Sequence, residues 1–196
     1  MVQHVYDITY GTIRPGQDTL VVIDDSIVRG TTLKESIIRM LSRLKPKRII
    51  VVSSSPQIRY PDCYGIDMSR MGDFIAFNAA VALLKERGLE KTLDDLLCRC
   101  KELQRNNQLH TENVVKLVYK PFSAEEIAAK IAQFITPPEI DIPVDVIFQS
   151  IEDLHKACPN NLGDWYFTGN YPTSGGNTVV NKAFINYMEG KNVRGY

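Results

Sequence analysis

The sequence has no excess of charge and no long hydrophobic run. Its 23 Lys and Arg residues balance its 23 Asp and Glu residues, so we expect neither nucleic acid nor a membrane as a partner. No apolar run approaches the ~20 residues of a membrane span, and the N-terminus lacks the basic-then-apolar pattern of a signal peptide. The hydrophobic fraction of 44% is typical of a globular protein. The sequence therefore predicts a cytoplasmic globular protein.

Cysteine is scarce, and the four cysteines do not have the spacing of metal ligands. Cys98 and Cys100 are two residues apart in a predicted helix, so their side chains point to different faces. Such cysteines are typical of buried or half-buried free thiols in a reducing compartment. We expect no disulfide and no cysteine-bound metal.

What the chain does contain is an informative stretch at residues 21–32, VVIDDSIVRGTT. Its apolar start predicts a parallel strand buried on both faces. Thr32 with Glu35 predicts a capping box at the start of the next helix. The turn between strand and helix would aim backbone N–H groups and a positive helix end at one point, which favours an anion.

Two acidic residues follow this strand directly. Asp24 and Asp25 lie at its carboxyl end, where ligands bind in open α/β sheets. Carboxylates in this place suit ribose hydroxyls and a Mg²⁺ ion. The alternative is that the two side chains only cap the turn.

Further along the chain, the pattern predicts more strands and helices. Residues 32–44 predict a helix and residues 48–53 a second buried strand, which completes a parallel βαβ unit. Ser123 with Glu126 predicts a capping box for a helix over 124–135, and Ser150 caps a later short helix. Residues 140–148 predict an extended segment, in which Pro143 favours an edge position.

Three segments carry a family resemblance. Residues 21–32 resemble the 5-phosphoribosyl pyrophosphate (PRPP) motif of type I phosphoribosyltransferases, and DDSIVRGTT is similar to the form found in the amidophosphoribosyltransferase family. Residues 55–61 (SPQIRYP) with 64–68 (YGIDM), and residues 167–173 (FTGNYPT), resemble two later segments of that family. The three matches occur in the family's order.

The resemblance implies an α/β fold: part of a type I phosphoribosyltransferase parallel sheet, a βαβ unit with the PRPP loop, followed by a mostly helical C-terminal region. We expect residues 1–68 to be the C-terminal part of the transferase core, 69–146 a helical region, and 147–196 a strand, helix and tail. Residues 89–134 are interpreted as an insertion relative to the family. Their apolar stripes indicate helix packing and not a binding face.

The resemblance also implies a PRPP site. Asp24 and Asp25 would hold the ribose hydroxyls and Mg²⁺, the backbone N–H groups from Val28 onwards would bind the 5′-phosphate, and Gly30 would let the backbone approach that phosphate closely. For Arg29 two interpretations stay open: it faces a nucleotide or pyrophosphate, or it is a solvated surface charge. The expected site residues are Asp24, Asp25, Ser26, Val28, Arg29, Gly30, Thr31 and Thr32.

Some members of this family bind an iron–sulfur cluster. A Cys-x-x-Cys precedes their Phe-Thr-Gly segment, where this chain has residues 163–166, GDWY. Another cluster ligand aligns with Asp62, one residue from Cys63. We therefore expect Mg²⁺ but no iron–sulfur cluster.

The implied function is to form 5-phosphoribosylamine from PRPP and glutamine-derived ammonia, in the first step of de novo purine synthesis. The family's glutaminase domain, its catalytic cysteine and the front of its transferase site have no counterpart here, so we expect an inactive fragment of a longer enzyme, or a descendant that lost its front. The alternatives are a non-catalytic PRPP- or nucleotide-binding module and a phosphoribosyltransferase with a nucleobase acceptor. Expected partners are PRPP, purine nucleotides and further copies of the chain in a homo-oligomer.

Overall fold

The computed structural model describes residues 11–64, 68–160, 163–191 and 193–195. The chain runs strand–helix–strand and then continues mostly as helices. The strands are β1 (Thr19–Asp24), β2 (Arg48–Ser53) and β3 (Val144–Phe148). The helices are α1 (Ile38–Ser42), α2 (Ile75–Glu86), α3 (Lys91–Arg105), α4 (Lys116–Tyr119), α5 (Ala124–Ile135), α6 (Ile151–Ala157), α7 (Trp165–Thr168) and α8 (Ser174–Met188). A π-helical turn, Leu33–Ile37, leads into α1, and a 3-10 turn, Met71–Asp73, precedes α2.

The three strands form one parallel sheet in the order β1-β2-β3. Asp24 is opposite Ser53, and Ser53 is opposite Phe148, so the carboxyl ends of all three strands meet at one edge. The predicted βαβ unit is confirmed, and so is the edge position of β3, which Pro143 directly precedes. An α/β fold with a partial parallel sheet and a helical C-terminal region is thus what the chain has.

The prediction that β1 is buried on both faces is wrong. Its residues alternate between exposed and half-buried, and Val21 and Ile23 are 57% and 75% exposed. On the same face of the sheet Ile147 of β3 is 52% exposed. The opposite face carries the buried side chains Ile49 and Val51. A continuous apolar run indicates two covered faces, but the residues that the structure describes cover only one.

Helices α2 and α5 pack against each other, and α5 also packs against β3. The capping box that starts α5 is confirmed, because Ser123 Oγ accepts the Glu126 N–H at 3.2 Å and Glu126 Oε2 accepts the Ser123 N–H at 2.8 Å. The cap of α6 is confirmed as well: Ser150 Oγ accepts the Asp153 N–H at 3.0 Å.

The apolar stripes within residues 89–134 face the protein interior. Leu93 and Leu96 of α3 and Ile131 of α5 are buried in the main hydrophobic core, so the expectation of helix packing is confirmed. That core also contains side chains from each of the three predicted regions 1–68, 69–146 and 147–196, for example Ile49, Leu93 and Phe184. The division into segments and the insertion stay predictions.

All four cysteines are free thiols. Cys98 is exposed and Cys100 is buried, so the two lie on different faces of α3, as their spacing predicts. The expected burial is wrong for Cys98 and for Cys158, which is also exposed. Burial raises the pKa of Cys100 to about 12, so this thiol is an inert part of the core. Among the described helices, none combines the length and the apolar character that crossing a bilayer requires.

Candidate PRPP site

The candidate site lies where β1 and β2 end. Ser54, the residue after β2, donates its N–H to the carbonyl oxygen of Asp24 at 2.9 Å, and its hydroxyl donates to the same oxygen at 3.1 Å. The Ser54 hydroxyl also lies 3.3 Å from the carbonyl oxygen of Asp25. These bonds continue the parallel pairing one residue past the strands and fix the backbone from which both carboxylates project.

Each of the two carboxylates makes a local hydrogen bond. Asp24 Oδ1 accepts the Asp25 N–H at 3.0 Å, and Asp25 Oδ1 accepts the Ser26 N–H at 2.9 Å. The turn-capping alternative is therefore part of the geometry. Each Oδ2 makes no hydrogen bond within the described residues. The capping role and a ligand-binding role are thus compatible.

The two acids differ in environment. Asp25 is exposed, whereas Asp24 is half-buried. Burial raises the pKa of Asp24, the nearby Asp25 carboxylate raises it further, and the hydrogen bond from the Asp25 N–H opposes both. A bound cation would offset this effect of burial, because it would stabilise the ionised carboxylate and lower its pKa.

The turn after the acids is folded by its buried residue and by a glycine. Ile27 is buried, and the carbonyl oxygen of Val28 accepts the N–H of Ile75 at 2.7 Å. Gly30 has φ +70° and its carbonyl oxygen accepts the Lys34 N–H at 3.0 Å, which begins the helical segment. Within the described part of the chain, no hydrogen bond is found from the N–H groups of Val28, Gly30, Thr31 and Thr32.

Four unbonded donors at the start of a helical segment are what an anion would need. The side chains of Thr31 and Thr32 are exposed and that of Ser26 is half-buried. The structure thus brings the expected site residues, Asp24 to Thr32, together in one turn beside the ends of the strands.

The predicted capping box of Thr32 and Glu35 is wrong. Thr32 has helical torsions (φ −62°, ψ −41°) and makes no side-chain cap hydrogen bond. A capping residue needs an extended backbone, but the first helical hydrogen bond already goes to the carbonyl of Gly30. The helix therefore begins before Thr32, and this leaves the Thr32 hydroxyl exposed.

Gly30 has a different neighbour from the one expected. A Cβ at this position would overlap Cδ1 of Ile75 and lie 3.0 Å from Cγ2 of Ile135. Those side chains belong to the ends of α2 and α5, so a glycine is needed here for packing and for the positive φ. The expected close approach of the backbone to a phosphate stays a prediction.

Neither of the two interpretations of Arg29 anticipated its partner. The guanidinium Nη2 of Arg29 donates to Oδ2 of Asp73 at 3.1 Å. Sequence reasoning did not single out Asp73, which lies 44 residues away. No local pattern marks such an acid, since its role depends on how the turn before α2 docks against the loop.

The two later family-like segments pack on each other. The N–H groups of Arg59 and Tyr60 both donate to the carbonyl oxygen of Tyr166, at 2.8 and 3.1 Å. The hydroxyl of Tyr171 donates to the carbonyl oxygen of Pro61 at 2.8 Å. Of residues 64–68, positions 65–67 lie outside the described residues. Two segments about 100 residues apart in the sequence thus form one structural unit that continues from the end of β2.

Asp24 and Asp25 offer two carboxylate oxygens to a metal ion, and the described residues contain no group of three or more acidic, histidine or cysteine ligands. Mg²⁺ suits such a site, because it is held by one or two carboxylates together with water and substrate phosphates. The donor set therefore fits Mg²⁺ in the company of a phosphorylated ligand. The expected absence of an iron–sulfur cluster stays a prediction.

No protein-family model matches the chain, but several curated proteins do. An amidophosphoribosyltransferase of Saccharomyces cerevisiae is 38% identical over 150 residues, which covers 74% of this chain and 25% of the relative. That of Haemophilus influenzae is 39% identical over 90 residues, covering 45% of this chain and 18% of the relative. That of Pseudomonas aeruginosa is 46% identical over 59 residues, covering 30% and 12%. The chain thus matches a quarter or less of each relative's length.

Proposed function

Because this chain is a partial amidophosphoribosyltransferase-like protein, we propose that it is the PRPP-binding part of such an enzyme. The observation that carries the proposal is the turn after β1, which contains the Oδ2 atoms of Asp24 and Asp25 and the four unbonded N–H groups. A phosphorylated ribose requires both kinds of group: carboxylates that bind a metal ion and the ribose hydroxyls, and N–H donors that bind the phosphate.

In the proposed complex, the 5′-phosphate binds the N–H groups of Val28, Gly30, Thr31 and Thr32, with the two threonine hydroxyls as further donors. The carboxylates of Asp24 and Asp25 accept hydrogen bonds from the ribose hydroxyls and hold Mg²⁺. When bound, Mg²⁺ supplies positive charge to the pyrophosphate group.

The proposed reaction of the whole enzyme is displacement at C1 of PRPP. The nitrogen of glutamine-derived ammonia forms a bond to C1, the bond from C1 to pyrophosphate breaks, and a proton leaves the nitrogen to give 5-phosphoribosylamine. This would be the first step of de novo purine synthesis. The residues of this chain act by holding the ribose and orienting C1, so catalysis here consists of positioning and charge stabilisation.

We propose that the chain alone binds PRPP without turning it over, because it corresponds to so small a part of each relative. Purine nucleotides are proposed as further ligands of the same turn, since they carry the same 5′-phosphate on a ribose. A homo-oligomer and a cytoplasmic location are proposed with it.

The test is calorimetric titration of the 196-residue chain with PRPP in the presence of Mg²⁺. We expect saturable binding that is lost in Asp24→Asn and Asp25→Asn and kept in Asp141→Asn. Asp141 is a matched control because it is an exposed acid that precedes β3, at the opposite edge of the sheet. Binding that survives both site substitutions would refute the proposed roles.

Assays for product separate this proposal from its two competitors. Formation of 5-phosphoribosylamine from PRPP and ammonia by the chain itself would show that it is active alone. Transfer of the ribose phosphate to a nucleobase would favour the phosphoribosyltransferase alternative. If the natural full-length product has 196 residues and binds PRPP without turnover, a non-catalytic binding module is the better assignment.

A further inference from the structure

Two adjacent residues, Val28 and Arg29, attach the loop that carries the unbonded N–H groups to the first residue of α2 and to the 3-10 turn before it. Ile75 donates its N–H to the carbonyl oxygen of Val28 at 2.7 Å, and Arg29 donates through Nη2 to Oδ2 of Asp73 at 3.1 Å. The donors Gly30, Thr31 and Thr32 follow directly. Where these N–H groups point therefore depends on how residues 28 and 29 are held.

Asp73 is carried by a well-anchored turn. Met71, which begins the 3-10 turn, and Phe74, which links the turn to α2, are both buried in the core. The Phe74 N–H donates to the carbonyl oxygen of Met71 at 3.1 Å, and Asn78 Nδ2 donates to that of Gly72 at 2.8 Å. The carboxylate of Asp73 is thus a fixed acceptor, whereas Arg29 belongs to the loop.

In this ion pair the carboxylate of Asp73 also neutralises the positive charge of Arg29, the residue next to the unbonded N–H group of Gly30. The side chains of Arg29 and Asp73 are 48% and 30% exposed, so the pair is partly shielded from solvent. An ion pair of this kind holds a long, flexible side chain in one direction, and its net charge is zero. The guanidinium is thereby directed to the turn before α2.

We propose that Asp73 is a positioning residue of the phosphate-binding loop and acts through Arg29. The proposal rests on the proposed PRPP function, because it concerns how the same turn is oriented. Asp73 touches no ligand in this arrangement. It holds the side chain of Arg29, and the hydrogen bond from Ile75 to Val28 holds the residue before it, so that the loop and the N–H groups that follow keep one arrangement.

The first measurement needs no ligand. Hydrogen exchange of the Ile75 amide reports on the attachment of the loop, because this amide is bonded to Val28. In Asp73→Asn we expect Ile75 to exchange about three- to fivefold faster, the range expected for loss of a partly exposed ion pair. The Asn78 amide, bonded to Phe74 at 3.0 Å within the same helix, is the internal reference and should not change.

The second measurement is binding of three probes to the full chain with Mg²⁺: PRPP, ribose 5-phosphate and inorganic pyrophosphate. Asp73→Asn should weaken PRPP and ribose 5-phosphate by the same factor, about three- to fivefold, and leave pyrophosphate unchanged. A general loss of folding would instead weaken all three. Glu139→Gln is the control, since it breaks an exposed ion pair with Arg39 of 3.0 Å elsewhere on the surface.

A double-mutant cycle shows whether Asp73 acts through Arg29. If it does, the loss in the Arg29→Met/Asp73→Asn variant is smaller than the product of the two single losses. Independent, multiplying losses would overturn the proposal, as would an unchanged Ile75 exchange rate in Asp73→Asn. A wild-type chain that binds none of the probes would refute the proposed function and, with it, the effect of Asp73 on ligand binding. The exchange rate of the Ile75 amide would still decide whether Asp73 helps to hold the loop.

Discussion

The hydroxyl of Tyr166 donates a hydrogen bond of 3.1 Å to Oδ1 of Asp62, a buried carboxylate. The same oxygen accepts the N–H of Tyr64, also at 3.1 Å. Burial raises the pKa of Tyr166, and the neighbouring Asp62 raises it further, so the phenol stays a donor across the physiological range. This bond joins α7 to the loop after β2. The loop contains the family-like residues 55–61, and α7 leads into the family-like residues 167–173.

Tyr166→Phe should therefore lower stability without touching the turn after β1. Removing the donor leaves a buried acceptor with one partner fewer, which costs about 1–2 kcal/mol in free energy of unfolding. Urea unfolding measures this. Tyr187→Phe is the control, because Tyr187 is also partly buried and its hydroxyl makes no hydrogen bond among the described residues. Equal losses in the two variants would contradict the assigned role of the bond.

Gly30→Ala should destabilise the chain more than the same change at another glycine with positive φ. Gly30 and Gly88 have φ of +70° and +66°, but a Cβ at Gly88 meets nothing within 4 Å. The backbone strain is common to both, about 1 kcal/mol. The excess loss at Gly30 measures the overlap with Cδ1 of Ile75.

A second substitution identifies that contact. Ile75→Val removes Cδ1, so Gly30→Ala in the Ile75→Val background should lose less free energy of unfolding than in the wild type. Thermal or urea unfolding of the four chains gives the coupling. If Gly30→Ala costs the same as Gly88→Ala, and Ile75→Val changes nothing, packing does not explain the glycine.

The local patterns of the sequence were sufficient for much of the fold. The bounds of β2 and α5, the parallel βαβ unit and the caps at Ser123 and Ser150 were all predicted, because each depends on neighbouring residues. The Thr32 cap failed although its residue types fit the pattern. Whether Thr32 or Gly30 starts the helix depends on the packing of the loop against α2, which no local pattern contains.

The resemblance proposed the members of the candidate site, whose ligand-binding role stays a prediction, and the residues that support them were missed. The resemblance named the turn from Asp24 to Thr32, and the structure brings those residues together. Asp73 and Ser54 were missed, since each reaches the turn only through tertiary structure. The exposure of Ile23 was missed for another reason. An apolar run shows that both faces of a strand can be buried, but it does not show whether other residues of the chain pack against each face.

The exposed face of β1 leads to a prediction about association. Val21 and Ile23 present apolar side chains to solvent on a strand whose outer edge is unpaired in the described sheet, and such surfaces favour contact with a second copy. Ile23→Thr should change the free energy of unfolding by no more than about 0.5 kcal/mol and shift the chain toward the monomer in light scattering.

The control is Val51→Thr, in which a β-branched apolar residue is likewise replaced by threonine, but at a fully buried position of the neighbouring strand. It should lower stability by more than about 1 kcal/mol, because the hydroxyl is buried among apolar side chains. An unchanged association state of Ile23→Thr at concentrations where the wild type associates would show that this face is not the contact.

Asp24 should be a residue at which function and stability oppose each other. Because burial raises its pKa above that of the unfolded chain, the folded protein holds this proton at a pH at which the unfolded chain has released it. The contribution of Asp24 to stability is therefore complete below the ordinary pKa of 3.8 and is lost as the pH rises through the raised value. At neutral pH the ionised carboxylate lowers the stability of the fold.

Asp24→Asn removes that charge and keeps Oδ1 as an acceptor for the Asp25 N–H. Without Mg²⁺, we expect its melting temperature to match the wild type below the ordinary pKa of 3.8, to exceed it by a margin that grows up to the raised pKa, and to keep that margin at higher pH, while PRPP binding with Mg²⁺ is lost. Melting curves from pH 3 to 8 measure the first, and calorimetry measures the second. Asp141→Asn should show neither change. A variant that is less stable than the wild type at pH 7, or that still binds PRPP, would contradict the role given to Asp24.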